Sequence, residues 1–255
     1  MGKMGIALQL YTVREPAARD LAGTLKRCRD VGFEYVQWSG LPAMSAEQVR
    51  EALGQAGLKA IAAHIDVEDF ENDYEKHVRY WGQVGVHDLA PGGMMRDCHD
   101  SLEAWLWGSA RLEALGGRLR ADGMRLSYHN HAFEFERFPG DDRCKLDILL
   151  DATSPNHLYA ELDTAWVFVG GADPAAYIRK YARRCPVIHV KDVAAELQNG
   201  RPCFTPLGRG ALDWKAIFRA AEEARVEWLV YEQDTCDGDP IDSVAVSYKF
   251  LSKHT

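Results

Sequence analysis

The sequence predicts one (β/α)8 TIM barrel over residues 1–255. Three observations carry that reading. Amphipathic helix stripes alternate with short β-branched runs along the whole chain, and eight strand candidates can be counted. Four of the helical patterns end at a glycine just before the next strand, at Gly32, Gly57, Gly85 and Gly123. These glycines lie about 25 to 38 residues apart, the length of a strand, a helix and two loops. No change of composition divides the 255 residues into halves, and such barrels commonly run to about 250 residues as one domain.

Taken in order, the strands are expected near 5–10, 33–38, 58–64, 86–90, 125–131, 158–163, 186–191 and 228–233. Helical stripes fall between them. Leu21, Leu25, Cys28 and Val31 form the first, and Val49, Leu53 and Ala56 the second. Leu102, Leu106, Leu112, Leu115 and Leu119 mark the longest. Tyr177, Ile178 and Tyr181, then Trp214, Ile217, Phe218 and Ala221, mark two more. Helix starts carry cap chemistry: Ser45 with Gln48 three residues on, Asp173 before Pro174, and Asp239 before Pro240. An open doubly wound sheet competes with the barrel. That fold usually places a glycine-rich phosphate loop after its first strand, whereas Gln9-Leu10-Tyr11-Thr12-Val13-Arg14 follows here. Residues 193–206, with Gln198-Asn199-Gly200-Arg201-Pro202, read as a hairpin-like insertion after the seventh strand.

Composition narrows the partners. The chain is 47% hydrophobic and 27% charged, with a net charge of −8. That argues against a nucleic-acid or anionic-membrane binder. No leader or membrane-length apolar run is visible, and the six cysteines include no C-x-x-C pair, so a cytoplasmic protein with reduced thiols is expected. A homo-oligomer is compatible with the seven tryptophans.

Barrel active sites form where strands end, and inward side chains recur every second residue. The strand ends here are polar at that spacing: Gln9 and Tyr11, Gln37 and Ser39, His64 and Asp66, His129 and His131, Glu161 and Asp163, His189 and Lys191, Glu232 and Asp234. One such pair would be an ordinary wet strand end. Asp163, His189 and Glu232 on three successive strands point instead to a divalent metal, because crowded carboxylates without a cation repel. The remaining ligand is His129, in phase on the fifth strand, or Glu134 from the loop beyond it. His131 is a further ligand or an acid–base group beside the metal. Lys191 reads as a partner for a substrate oxygen or as an ion pair with Asp163 or Glu161.

The run Tyr128-His129-Asn130-His131-Ala132-Phe133-Glu134-Phe135, then Leu162-Asp163-Thr164-Ala165-Trp166, His189-Val190-Lys191-Asp192, Gly208-Arg209-Gly210 and Tyr231-Glu232-Gln233-Asp234, resembles the xylose isomerase-like TIM-barrel superfamily. It looks most like the sugar phosphate isomerase/epimerase branch, as does Gln9–Arg14. The resemblance implies a metal site of Glu, Asp, His and Glu on the last four strands. Asp163, His189 and Glu232 match three of these. The fifth-strand Glu is replaced by His129, or by Glu134 from the loop. The resemblance also implies that Lys191 contacts substrate.

The expected activity is a metal-dependent isomerase or epimerase acting on a sugar or keto-sugar. Glu232 or His131 would remove the proton beside a carbonyl, and the metal and Lys191 would stabilise the enediolate. Mn2+ is the expected ion, with Mg2+, Co2+ and Zn2+ as alternatives. Gln9, Tyr11, His64, Trp166 and Arg209 are the expected substrate contacts; the Gly208-Arg209-Gly210 turn either places N–H groups and a guanidinium near an anion or, the slightly favoured reading, is a loop turn leading into the helix at Asp213, so a substrate phosphate stays open. Trp38 and Phe133 are further candidates for stacking on a sugar ring. The runner-up is a lyase, dehydratase or keto-glycoside-cleaving enzyme on the same site, with the His129/His131 pair supplying the acid for the leaving group. An apurinic-site endonuclease, from the DNA-repair branch of the superfamily, is disfavoured by the net charge and the lack of a basic run.

Overall fold

A computed structural model describes residues 4–254. Its strands are β1 (Gly5–Gln9), β2 (Tyr35–Ser39), β3 (Lys59–Ile65), β4 (Asp88–Pro91), β5 (Arg125–His129), β6 (Leu158–Asp163), β7 (Val187–Val190), β8 (Asp192–Val193), β9 (Phe204–Thr205) and β10 (Trp228–Tyr231). Eight of them close a parallel barrel in the order β1-β10-β7-β6-β5-β4-β3-β2. β8 and β9 pair antiparallel outside it.

Outward side chains of the strands, including Leu8, Val36, Leu89, Leu126, Ile188 and Leu229, pack against helix residues such as Leu25, Leu53, Trp81, Leu112, Ile178, Ile217 and Val244. That apolar layer between sheet and helices is the main core. The lower end of the barrel interior is small and apolar, with Ala7, Val187 and Val230 buried against Tyr35, Ile61 and Trp228. Above them the inward positions are mostly polar, with Ala62 and Ala90 as the small apolar exceptions in register with Gln37 and His64.

The helix signals behave as their chemistry requires. Ser45 and Gln48 form a reciprocal capping box, and Asp173 and Asp239 cap helices that begin with proline. Gly57 and Gly85 end their helices at φ 72° and 95°, where a side chain would be strained.

Four strands stop earlier than their periodicity suggests. β1 ends at Gln9, β5 at His129, β7 at Val190 and β10 at Tyr231. The chain turns at the mouth because side chains, not ladder bonds, hold it there: Asn130 Oδ1 accepts from the Asp163 N–H at 3.1 Å, and Thr164 Oγ1 accepts from the Lys191 N–H at 3.0 Å. His131, Lys191, Glu232 and Asp234 therefore sit just past their strands. In β3 the register steps from Val36↔Ala60 to Gln37↔Ala62, one extra residue on β3. This bulge lets both Ile61 and His64 face the interior although they are three apart.

Candidate metal centre and substrate cavity

The polar interior has two tiers. The lower one is organised by Glu161, which is fully buried on β6. Its Oε1 lies 2.7 Å from His64 Nε2, 3.0 Å from His189 Nε2 and 3.2 Å from His129 Nδ1. Its Oε2 accepts from Gln37 Nε2 at 2.9 Å. Gln37 Oε1 in turn lies 2.7 Å from His189 Nε2. Burial alone would raise the Glu161 carboxyl, but the facing His189 and His64 hold it well below the usual carboxylate range.

Two residues further up β6, Asp163 belongs to the upper tier. Asp163 caps the helix Thr164–Val169, its Oδ1 accepting from the Trp166 N–H at 2.9 Å. Oδ2 is left facing the barrel mouth. It lies 2.9 Å from Lys191 Nζ, but not in line for a hydrogen bond, and is a buried acceptor without one. The Lys191 ammonium also lies 3.0 Å from Glu232 Oε2 and 2.7 Å from Asp234 Oδ1. Burial opposes its charge, but these carboxylates raise its pKa above the ordinary lysine value. Burial pushes Asp163 up to about 6, although Lys191 pulls the other way.

His189 joins the tiers. Its Nε2 faces Glu161 and Gln37, and its Nδ1 lies 2.8 Å from Glu232 Oε2. Burial disfavours its charge, but Glu161 and Glu232 push it up to about 10. His129 is turned the opposite way round: Nδ1 is on the Glu161 side and Nε2 lies 3.9 Å from Asp163 Oδ2. Burial and the neighbouring His189 hold it well below the ordinary imidazole range, so it is neutral.

These groups fit a divalent ion. His129, Asp163, His189 and Glu232 are all buried, and one ligand atom from each lies within 4.8 Å of the others. His64, His129, Glu161 and His189 meet the same distance criterion. In that lower set the nitrogens of His64 and His189 are taken up by hydrogen bonds to Glu161 and Gln37. The upper set holds the unsatisfied Asp163 Oδ2 and combines two imidazoles with two carboxylates, a donor set suited to Mn2+, Mg2+, Co2+ or Zn2+.

A cavity of about 380 Å3 opens above this tier, lined by Tyr11, Ser39, His64, Gly92, His129, His131, Trp166, Lys191, Glu232 and Asp234. Its size suits a single sugar or cyclitol ring. His131 lies beside Trp166, ring centroids 5.3 Å apart, and burial together with Lys191 pulls its imidazole down to about 4. Trp166 Nε1 is buried without a hydrogen-bond partner.

The cavity thus gathers Tyr11, His64, His131, Trp166, Lys191 and Glu232 from the expected set, and the ligand atoms of His129, Asp163 and His189 meet beside it. Other expected residues lie elsewhere. Glu134, the alternative ligand, is turned away. Its Oε1 accepts from the Tyr128 hydroxyl at 2.8 Å and its Oε2 from the His131 N–H at 2.8 Å, so it shapes the loop after β5. Gln9 is fully buried below the cavity, 3.4 Å from His64 Nδ1. Arg209 is exposed and does not line the cavity. The N–H groups of Gly208 and Gly210 donate to Asp192 Oδ2 at 2.9 and 3.0 Å, so that turn binds an internal carboxylate. Trp38 is packed in the main core.

Sequence reasoning places Glu161 and Gln37 at strand ends but assigns neither to the metal site. The two-residue period already pairs Glu161 with Asp163. What the period lacks is the convergence of three imidazoles, from β3, β5 and β7, on the deeper carboxylate.

A closed parallel barrel with a histidine–carboxylate cluster at the C-terminal ends of its strands has the make-up of a candidate metal site at the barrel mouth. The chain belongs to the xylose isomerase-like TIM barrel family, whose model matches residues 25–254. Among curated relatives it is 28% identical to an inosose dehydratase of Lacticaseibacillus casei, over 60% of this chain. The match spans only 55% of that relative's length. Among solved structures, a sugar phosphate isomerase/epimerase from Parabacteroides distasonis aligns with a TM-score of 0.84 at 20% identity, covering 98% of both chains. A xylose isomerase-like TIM barrel protein from Mycobacterium smegmatis, in complex with magnesium, aligns with a TM-score of 0.74 at 16% identity, covering 99% of this chain and 96% of that one. Both structural likenesses speak to the fold. Among the described residues, no helix is long and apolar enough to cross a membrane.

Proposed function

We propose that the protein is a divalent-metal-dependent lyase that removes the proton beside the carbonyl of a keto-sugar or keto-cyclitol and expels a β-hydroxyl or alkoxy group. The observation that carries this reading is the end of β5. It presents the neutral imidazole of His131 to the cavity, while the nearby carboxylate of Glu134 is held by Tyr128 and the His131 N–H. Epimerisation by two carboxylates, one on each face of the carbon, would need a fifth-strand carboxylate in the cavity. One imidazole can take the proton and return it to the leaving oxygen on the same face.

His129, Asp163, His189 and Glu232 would hold the ion. A bound divalent cation would supply Lewis-acid polarisation of the substrate carbonyl and lower the acidity barrier at the neighbouring carbon. His131 holds a free lone pair at neutral pH, because its proton is lost near pH 4. Lys191 presents its ammonium at the cavity wall, where it can hydrogen-bond an oxygen that gains negative charge. Tyr11 and Trp166 orient the ring, and Trp166 Nε1 has a hydrogen bond to give. The dehydratase activity in the names of the curated relatives supports elimination. The exposure of Arg209 favours a substrate without phosphate.

The second reading is aldose–ketose isomerisation. A single base that moves a proton between neighbouring carbons on one face fits His131 equally well. The test is His131→Gln in the Mn2+-loaded protein. Turnover should fall by about 10²–10⁴-fold with Mn2+ affinity retained. Near-normal turnover would remove His131 from the reaction, and the one-sided scheme with it.

A further inference from the structure

We infer that Glu161 is a positioning residue: its buried carboxylate fixes the inner nitrogens of His129 and His189, so that their outer nitrogens face Asp163 and Glu232. The inference rests on the metal reading above and assigns a cause to the affinity of that site. Glu161 does not line the cavity and would touch no substrate.

A histidine that ligates through one nitrogen carries its proton on the other, and the partner of that N–H sets which is which. Glu161 Oε1 faces His189 Nε2 at 3.0 Å and His129 Nδ1 at 3.2 Å, so the two rings are addressed through different nitrogens. The His189 Nε2–H is accepted by Gln37 Oε1 at 2.7 Å, and Glu161 orients that amide by accepting from Gln37 Nε2 at 2.9 Å. The outer nitrogens are His189 Nδ1, which points a proton of its own at Glu232 Oε2, 2.8 Å away, and would give it up to an ion, and His129 Nε2, 3.9 Å from Asp163 Oδ2.

Glu161 is itself pinned. Gln37 Nε2 donates to its Oε2 at 2.9 Å and His64 Nε2 approaches its Oε1 at 2.7 Å. The His64 and His189 rings are stacked, 5.3 Å apart and 5° from parallel, so their Nε2 atoms approach that oxygen side by side. The contact to His129 Nδ1 is the loosest of the three. That nitrogen is buried without an aligned hydrogen bond. A glutamine at position 161 would put an amide N–H against either Gln37 Nε2 or the imidazole N–H groups. It would break the address without changing volume.

Glu161→Gln is measured for Mn2+ affinity by calorimetry and for thermal unfolding in chelator. Affinity should fall 10–100-fold while the chelated protein unfolds within a few degrees of wild type. Nitrogen-15 NMR of the chelated protein should show His189 losing its defined Nε2–H resonance. Glu161→Asp keeps the charge but shortens the reach, and should weaken Mn2+ by about tenfold; it serves if the glutamine variant does not fold. Unchanged Mn2+ affinity in whichever variant folds, with or without a lowered Tm, overturns the inference and makes Glu161 merely structural. No Mn2+ binding by wild type overturns the metal reading itself, and the inference falls with it.

Discussion

Lys191 Nζ lies 2.9 Å from Asp163 Oδ2, an oxygen that has no hydrogen bond of its own. The ammonium is shared with Glu232 and Asp234. It therefore competes for the oxygens that a divalent ion would use. Lys191→Met should bind Mn2+ at least as tightly as wild type by calorimetry, while kcat/KM falls by about 10²–10³-fold through loss of the charge beside the reacting oxygen. Weaker Mn2+ binding would mean that Lys191 supports the ion site.

Metal binding should show in stability before any substrate is known. At Mn2+ one hundredfold above its Kd, a folded-state site contributes about 2.7 kcal/mol. For a chain of this size that is a rise in Tm of about 5–10 °C. Chelator should reverse it. Asp163→Asn and Glu232→Gln should each remove most of the rise, whereas His157→Ala, a half-buried histidine paired with Glu113, should not.

Glu134 gives a prediction in pH. Burial pushes its carboxyl up to about 7 against the hydrogen bonds from Tyr128 and His131, from an ordinary 4.5. The folded state then binds the proton more tightly than the unfolded chain. Its contribution to stability is fully present below pH 4.5 and is lost as pH rises through 7. Glu134→Gln cannot titrate, so it should gain on wild type between pH 4.5 and 8 in urea unfolding. A constant difference across that range contradicts the shift. Glu134→Ala strands two buried donors and should cost about 2–4 kcal/mol.

The Gly208-Arg209-Gly210 turn should be silent in catalysis. Its two glycine amides are taken up by Asp192, and Arg209 does not line the cavity. Arg209→Ala should change KM for a neutral keto-sugar less than twofold. A tenfold rise would bring Arg209 to the substrate in a form that the structure does not display.

Much of this was legible in the chain. The barrel follows from eight β-branched runs separated by amphipathic stripes, and Asp163, His189 and Glu232 follow from two-residue parity at strand ends. Parity fails where backbone geometry is local. The bulge at Ile61 in β3 leaves no trace in composition, yet it decides which β3 side chains enter the barrel. Parity also assigns a face but not a partner. Glu134 and Glu161 are both buried glutamates near the site, and only the fold shows that one binds a tyrosine hydroxyl while the other gathers three imidazoles. The Gly-Arg-Gly turn looks like an anion cradle because its internal anion, Asp192, lies 16 and 18 residues away in sequence.

The proposed elimination, driven by one-sided proton transfer at the metal site, is open to proton NMR of the Mn2+-loaded wild-type protein with a panel of keto-inositols and keto-glycosides in D2O. Elimination gives a product that has lost water or an alcohol, with an unsaturated or tautomerised ring, and no reaction in chelator. A product of unchanged composition, either an epimer with deuterium at the inverted carbon or an aldose–ketose isomer, would contradict it.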